Sequence, residues 1–179
     1  IEDLGHGSTV ATNAVLERRG AVVTLVTNEG FADLVEIARQ DRPSLYDHWA
    51  DRPEPLVDGA HRVEVAGRLG PDGAELEPLD PASIGPLPTD TEAVAVCLLH
   101  SDLDPAHERA VAAELERRGF DVSASCDVSP QFREYERTVT TVANAYLRPR
   151  CRSYLQGLDG AADEVLVMTS AGGLASIDR

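Results

Sequence analysis

An unbroken apolar run, Ala93-Val94-Ala95-Val96-Cys97-Leu98-Leu99, constrains the fold of this chain more than any other stretch. A half-exposed strand alternates apolar and polar side chains. This run has no polar position, so both of its faces ask to be covered, and it predicts a central strand over 93–99. At 179 residues the chain is long enough to bury a core around it. Aromatic residues make up only 4% of the sequence, so that core is expected to be mostly valine, leucine and alanine.

The flanking segments read as the layers of an α/β fold. Helical spacing predicts a helix over 12–19, with Thr12 or Asn13 as N-cap and Gly20 at the C′ position. A β-branched strand follows over 21–27, then an Asn28-Glu29-Gly30 turn. A second helix is predicted over 31–39, where Leu34, Val35 and Ala38 are spaced for one face. Helix, strand and helix in quick succession indicate a parallel sheet. From Arg62 the period changes to two: Val63, Val65 and Leu69 alternate with Arg62, Glu64 and Arg68. The Pro71-Asp72-Gly73 turn and the return over 74–79 make this an antiparallel hairpin inserted between α/β units. The central strand ends at His100-Ser101-Asp102, where open α/β sheets place ligands. Asp104 and Pro105 open a helix to Arg118 that stops at Gly119, and a weaker strand is expected over 121–125. Beyond Pro130, Val139, Val142, Ala143, Tyr146 and Leu147 form an amphipathic stripe, continued by Cys151, Tyr154, Leu155 and Leu158. It persists past Pro149, which predicts one kinked helix or two abutting ones. A last strand over 164–168 runs into Thr169-Ser170-Ala171-Gly172-Gly173.

Charge excludes several function classes. Acids outnumber bases 31 to 16, for a net charge of -15, which argues against nucleic-acid and anionic-membrane partners. Every base is arginine, so a catalytic lysine, Schiff-base chemistry and a P-loop are excluded within the chain. No apolar segment approaches the roughly 18 residues of a membrane span. The 3 cysteines, Cys97, Cys126 and Cys151, are scattered, as expected of reduced thiols in a cytoplasmic protein. No metal-ligand set is expected: His107 and Glu108 have no second histidine at helical spacing. Spacing assigns no catalytic residue.

Candidate binding residues lie in three turns and one loop. His6, Thr9, Thr12 and Asn13 are candidates to line a cleft through hydroxyls, an amide and a helix N-terminus; the alternative is that they only cap and brace the helix. His100 with Ser101, and Ser170 with Gly172, sit at expected strand ends. The Pro-bracketed stretch 39–56 carries Arg39, Arg42, Tyr46, His48 and Trp49, the composition of a binding loop. There Arg39 and Arg42 are candidates to hold an anionic substrate group or a transferred phosphate. The alternatives are that Tyr46 and Trp49 pin the loop to the body and that Arg42 pairs with Asp41 or Asp47.

The string His6-Gly7-Ser8-Thr9-Val10-Ala11-Thr12-Asn13-Ala14-Val15-Leu16-Glu17-Arg18-Arg19-Gly20 resembles the hydantoinase A/oxoprolinase family. Further stretches agree in the same order: Asp33-Leu34-Val35-Glu36-Ile37-Ala38-Arg39-Gln40-Asp41-Arg42-Pro43, Val94 to Ser101, Arg133-Glu134-Tyr135-Glu136-Arg137-Thr138, and Met168 to Gly173. The resemblance implies a partial actin-like ATPase (ribonuclease H-like) fold, with the family's N-terminal domain over 1–130 and the start of its next domain over 131–179. It implies an enzyme that opens cyclic amides such as hydantoins or 5-oxoproline with ATP and Mg²⁺, or the matching subunit of a ketone carboxylase. It also implies a second, hydantoinase B-type subunit or domain; a non-catalytic subunit-contact domain is the rival from another class. The family's Asp-x-Gly-Gly-Thr phosphate loops are absent, so the chain is expected to be an internal piece lying between them. Ser8 stands where threonine is usual, Asp102 where an aromatic is common, and Ala171 where the family has asparagine.

Overall fold

The computed structural model describes residues 8–158, 166–168 and 173–176. In chain order its elements are α1 (Val10–Leu16), β1 (Val23–Asn28), α2 (Leu34–Ile37), β2 (Arg62–Val65), β3 (Arg68–Leu69), β4 (Glu75–Glu77) and β5 (Ala93–Val96). They continue with α3 (Ala106–Arg117), β6 (Asp121–Ala124), α4 (Ser125–Val128), α5 (Glu134–Gln156), β7 (Leu166–Met168) and β8 (Leu174–Ser176). The chain forms two compact units, Val22–Tyr146 and Ile1–Ala21 with Leu147–Arg179. The division expected at residue 130 follows the order of sequence motifs, whereas compactness follows a line inside α5.

The larger unit is built on a parallel sheet of order β2-β1-β5-β6. The apolar run is its centre, as expected: β5 lies between β1 and β6 and all its residues are buried. Side chains alternate along a strand, and here the two faces differ in size. Val94, Val96 and Leu98 join Val26, Val65, Val111, Leu115 and Val122 in the core on the α3 side. Ala93, Ala95 and Cys97 take the other face, where the Thr138 hydroxyl of α5 reaches Cys97 Sγ at 3.1 Å. Helix α3 ends in a Schellman turn at Gly119 (φ 94), with Phe120 N–H on Leu115 O at 3.1 Å, as its sequence predicts.

The period-two segment divides between two sheets, a correction to the inserted hairpin. Its first half is β2, an edge strand paired in parallel with β1, Val63 opposite Val26. Only β3 and β4 form the antiparallel hairpin. The break is Gly67, at φ 102, where a Cβ would lie 2.6 Å from Leu79 Cβ. Period two reads strand pairing direction from neither half, because alternation is the same in parallel and antiparallel ladders.

Helix boundaries differ as well. Helix α1 starts earlier than expected and ends in a Schellman turn at Arg18 (φ 51), with Arg19 N–H on Ala14 O at 2.9 Å, rather than at Gly20. Thr9 holds its N-cap position without a side-chain cap bond. Helix α2 is a single turn ended by Ala38 at φ 51. Short helices persist only where packing holds them, and Val35 is the one buried residue of this turn. Helix α5 runs unbroken through Pro149 for 23 residues. Its buried face in the larger unit is Arg137, Thr138, Thr141, Val142, Ala145 and Tyr146, so the stripe is rotated and Val139 is exposed. In the smaller unit β7 and β8 pair antiparallel. Among the described residues no helix is long and apolar enough to cross a membrane.

Gly67→Ala meets both a left-handed backbone and the Leu79 side chain. It is expected to destabilise the chain by about 2 kcal/mol or more, read as a lower urea midpoint at unchanged slope.

Candidate functional site

In the four-stranded sheet, the order turns back between β1 and β5: β2 lies on one side of β1 and β5 on the other. The crevice outside the carboxyl ends of two such strands is the usual ligand position in open α/β sheets. Asn28, the buried last residue of β1, spans that point. Its amide donates to Gly67 O at 2.6 Å, and its carbonyl oxygen accepts the Leu99 N–H at 2.7 Å.

Beyond β5 the chain makes a tight turn over 98–104. His100 sits at φ 59, and its carbonyl accepts the N–H groups of Leu103 (2.9 Å) and Asp104 (3.1 Å). A left-handed histidine needs its neighbours held firmly. Two buried charged side chains do this. Glu108, in the first turn of α3, is fully buried; its Oε1 accepts from Leu98 N (2.8 Å), Ser101 Oγ (2.9 Å) and Ser125 Oγ (2.6 Å). Its Oε2 accepts from Cys126 N at 2.7 Å. Arg137, 1% exposed, donates from Nη2 to Leu98 O (2.6 Å) and from Nη1 to Asp102 Oδ1 (2.8 Å). The N–H and C=O of Leu98, past the end of the ladder, are thus each satisfied by an ionised side chain. The ends of β5 and β6 are tied to one carboxylate.

Two thiols border this cluster and neither is poised as a nucleophile. Burial pushes the Cys126 thiol up to about 12, with the nearby Glu108 charge adding to it. Burial raises the Cys97 thiol too, with Arg137 opposing. The thiolate is the reactive form, so both thiols are inert at neutral pH while the fold is intact.

Of the candidate binding residues, Ser101 is buried in the Glu108 cluster, and His100 beside it is half-buried, its imidazole without a hydrogen-bond partner among the described residues. Arg39 is engaged by α5: its Nε and Nη2 donate to Glu136 Oε1 at 2.8 and 2.6 Å, and its guanidinium lies 5.9 Å from the Tyr135 ring centre. Consecutive α5 residues, Glu136 and Arg137, therefore hold Arg39 and the His100 turn. Arg42 is exposed, with no pairing to Asp41 or Asp47. Tyr46 and Trp49 are 94% and 92% exposed, so neither ring pins the loop. Thr9, Thr12 and Asn13 are exposed in the smaller unit, where Asn13 Nδ2 donates to Thr9 Oγ1 at 3.3 Å. His6, Ser170 and Gly172 lie outside the described residues. Sequence reasoning missed Asn28, Glu108 and Arg137. The signal for Glu108 was its phase with Val111 and Leu115, and for Arg137 its phase with Thr141 and Ala145.

Comparison with known proteins identifies the chain. The hydantoinase/oxoprolinase N-terminal region matches residues 1–119, and the hydantoinase/oxoprolinase domain matches 137–179. The chain belongs to the hydantoinase/oxoprolinase family. It is 35% identical to 5-oxoprolinase 1 of Arabidopsis thaliana, over 100% of this chain and 16% of that protein. It is 35% identical to caprolactamase subunit alpha of Pseudomonas jessenii, over 95% of this chain and 27% of that one. The crystal structure of that ATP-dependent caprolactamase matches with a TM-score of 0.84 at 32% identity, covering 94% of this chain and 27% of its own. Nucleotide-free acetone carboxylase matches with a TM-score of 0.75 at 27% identity, over 95% of this chain and 28% of that one. The chain thus spans between 16% and 28% of the length of these relatives. Its α/β architecture with a parallel sheet is that of the caprolactamase, an actin-like ATPase type of fold, as the sequence resemblance implied.

Glu108→Gln replaces an acceptor with an amide donor against donors and leaves Arg137 facing one carboxylate fewer. The expected cost is about 3 kcal/mol, measured by urea denaturation. Faster amide exchange at Leu98 and Cys126 should accompany it. Iodoacetamide at pH 8 should leave Cys97 and Cys126 unmodified in the folded chain and label both in urea.

Proposed function

We propose that this chain is part of an ATP-dependent enzyme that opens a cyclic amide, and that the turn after β5 faces its substrate. The match to ATP-dependent caprolactamase over 94% of the chain carries the reading, and the 5-oxoprolinase relative shares the bond type. An amide resists water because nitrogen donates into the carbonyl; a phosphoryl group from ATP on the carbonyl oxygen would remove that protection.

The described residues do not form a cradle for a triphosphate. There is no lysine, and Arg137, the cation at the strand ends, is spent on Leu98 O and Asp102. ATP and Mg²⁺ would therefore be held by groups outside the described residues. What this chain contributes is position. Glu108 and Arg137 fix the turn, Ser101 acts on it from within, and His100 is its open polar side chain. Arg42 is open to an anionic group, whereas Arg39 braces α5. Thr9, Thr12 and Asn13, with His6, Ser170 and Gly172, remain proposed cleft residues on the strength of the family string. A second subunit belongs to the proposal, because the caprolactamase relative is a subunit alpha. The acetone carboxylase match favours a second reading, the corresponding subunit of a ketone carboxylase.

The full-length protein with Mg·ATP is expected to release ADP when given ε-caprolactam, hydantoin or 5-oxoproline; ADP release dependent on acetone with bicarbonate instead would support the carboxylase reading. In the active protein His100→Ala should lower kcat/KM about tenfold or more without changing the urea midpoint. Calorimetry of the 179-residue chain with Mg·ATP should show no micromolar binding.

A further inference from the structure

The last bond of the β1–β5 ladder runs from Cys97 N–H to Val26 O at 3.0 Å. Continued in that register, the next donor, Leu99 N–H, belongs on the backbone carbonyl of Asn28. That carbonyl is taken by Phe31 N–H in the turn after β1, at 3.1 Å. The Asn28 side chain replaces it. Its Oδ1 accepts Leu99 N–H at 2.7 Å, so the chain can leave the ladder one residue before the left-handed His100. An amide only 2% exposed needs its donor satisfied as well. Its Nδ2 donates to Gly67 O at 2.6 Å, at the start of the β3–β4 hairpin.

The hairpin then follows the 98–104 turn to its far end. Arg68 donates to Glu29 O at 3.3 Å, and its guanidinium lies 5.3 Å from the Phe31 ring centre, which seats the start of the hairpin on the turn after β1. Where β3 turns into β4, a Cβ on Gly73 would lie 3.3 Å from Leu103 Cβ. Just beyond, His107 in the first turn of α3 donates from Nε2 to Glu75 Oε2 at 3.0 Å. The histidine is 8% exposed, whereas the Glu75 side chain is half open to solvent.

We infer that Asn28 is a positioning residue for His100, and that the β3–β4 hairpin is the strap that keeps it in place, fastened to α3 by Glu75 and His107. The inference rests on the proposal that this turn faces substrate, and it adds what aims the open side chain. Glu108 and Arg137 hold Leu98, Ser101 and Asp102, and Leu99, next to His100, is left to Asn28. One planar amide bonds both the hairpin and the turn, so a shift of one is passed to the other. At its near end the strap is wedged, Gly67 against Leu79. Its far end depends on the Glu75–His107 pair. There the turn closes on His100 itself, whose carbonyl accepts Leu103 N–H and Asp104 N–H.

Hydrogen exchange of the full-length protein, read by mass spectrometry, tests the strap without turnover. Glu75→Ala should speed exchange over the 98–104 turn about fivefold or more while β5 is unchanged, and Glu75→Gln should restore it. Glu77→Ala removes a charge from the same exposed strand and should leave the turn as it is. Asn28→Ala should speed exchange at Leu99 further; should its burial prevent folding, the Glu75 variants carry the test alone. In the active protein, Glu75→Ala and Asn28→Ala should lower kcat and kcat/KM by the same factor, about threefold or more, at unchanged KM. The loss from Glu75→Ala should vanish in a His100→Ala background, where nothing is left to aim. A merely structural contact would lower the urea midpoint and leave both kcat and exchange in the turn unmoved. That result, an equal effect of Glu77→Ala, or a loss that adds in full to that of His100→Ala would each overturn the inference. If the exchange results hold and His100→Ala keeps full turnover, the proposed role of the turn falls and the strap stands. If His100→Ala loses turnover while the Glu75 and Asn28 variants behave as wild type, the strap falls and the turn keeps its role.

Discussion

A carboxylate with no contact with water holds this α/β unit together at the carboxyl ends of its strands. Burying Glu108 costs several kcal/mol unless the charge is met by donors, and it is met by two backbone N–H groups and two hydroxyls. The donors come from places distant in sequence: the end of β5, the turn beyond it and the start of α4. One side chain therefore sets the spacing of two strand ends. Arg137 completes the arrangement from α5 by taking the carbonyl of the same residue, Leu98, whose N–H Glu108 takes. The ladder stops at Val96, and the orphaned peptide groups beyond it would otherwise be buried without partners.

The His100 turn follows from this. A histidine at φ 59 is unfavourable on its own, and it persists because the residues on both sides are fixed. Leu98 is held at both peptide groups and Leu99 N–H by Asn28; Ser101 is bound to Glu108 and Asp102 to Arg137. The small residues on one face of β5 serve the same end. Cys97 packs under Thr138, one position from Arg137, so the strand face that carries no bulk is the one over which the arginine enters.

What sequence makes legible here is whatever depends on local pattern. The two-sided apolar run identifies β5, and the Gly119 stop identifies the end of α3, because a buried strand and a left-handed C-cap each leave a mark at fixed spacing. The β2 edge strand was hidden because alternation does not distinguish a parallel partner from an antiparallel one, and the break at Gly67 depends on Leu79, twelve residues away. Gly20 misled because the C′ position is filled by an arginine. The candidate site was half legible. His100 and Ser101 follow from the strand-end rule, whereas Glu108 and Arg137 look like solvent-facing charges on amphipathic helices. Only their phase with Val111, Leu115 and Ala145 argues otherwise, and a charge in phase with a core is read as inward only once a partner is known. Those partners lie on other elements.

Helix α5 divides the chemistry of the unit. Arg137, Thr138 and Thr141 face the sheet, and Tyr135, Val139 and Val142 line a cavity shared with α2 and the loop that follows it, so neighbouring positions on one helix serve two different environments. The electrostatics of the two cannot be exchanged. At the strand ends the buried arginine balances Glu108 and Asp102; in the cavity several carboxylates surround one committed guanidinium. Phosphate chemistry finds no open cation at the strand ends, where Arg137 is spent on Leu98 O and Asp102, and the chain as a whole carries a charge of -15. Under the proposed function a nucleotide would draw its positive field from residues other than the Glu108–Arg137 cluster, and that cluster would do the work of shaping and holding the turn rather than of phosphoryl transfer.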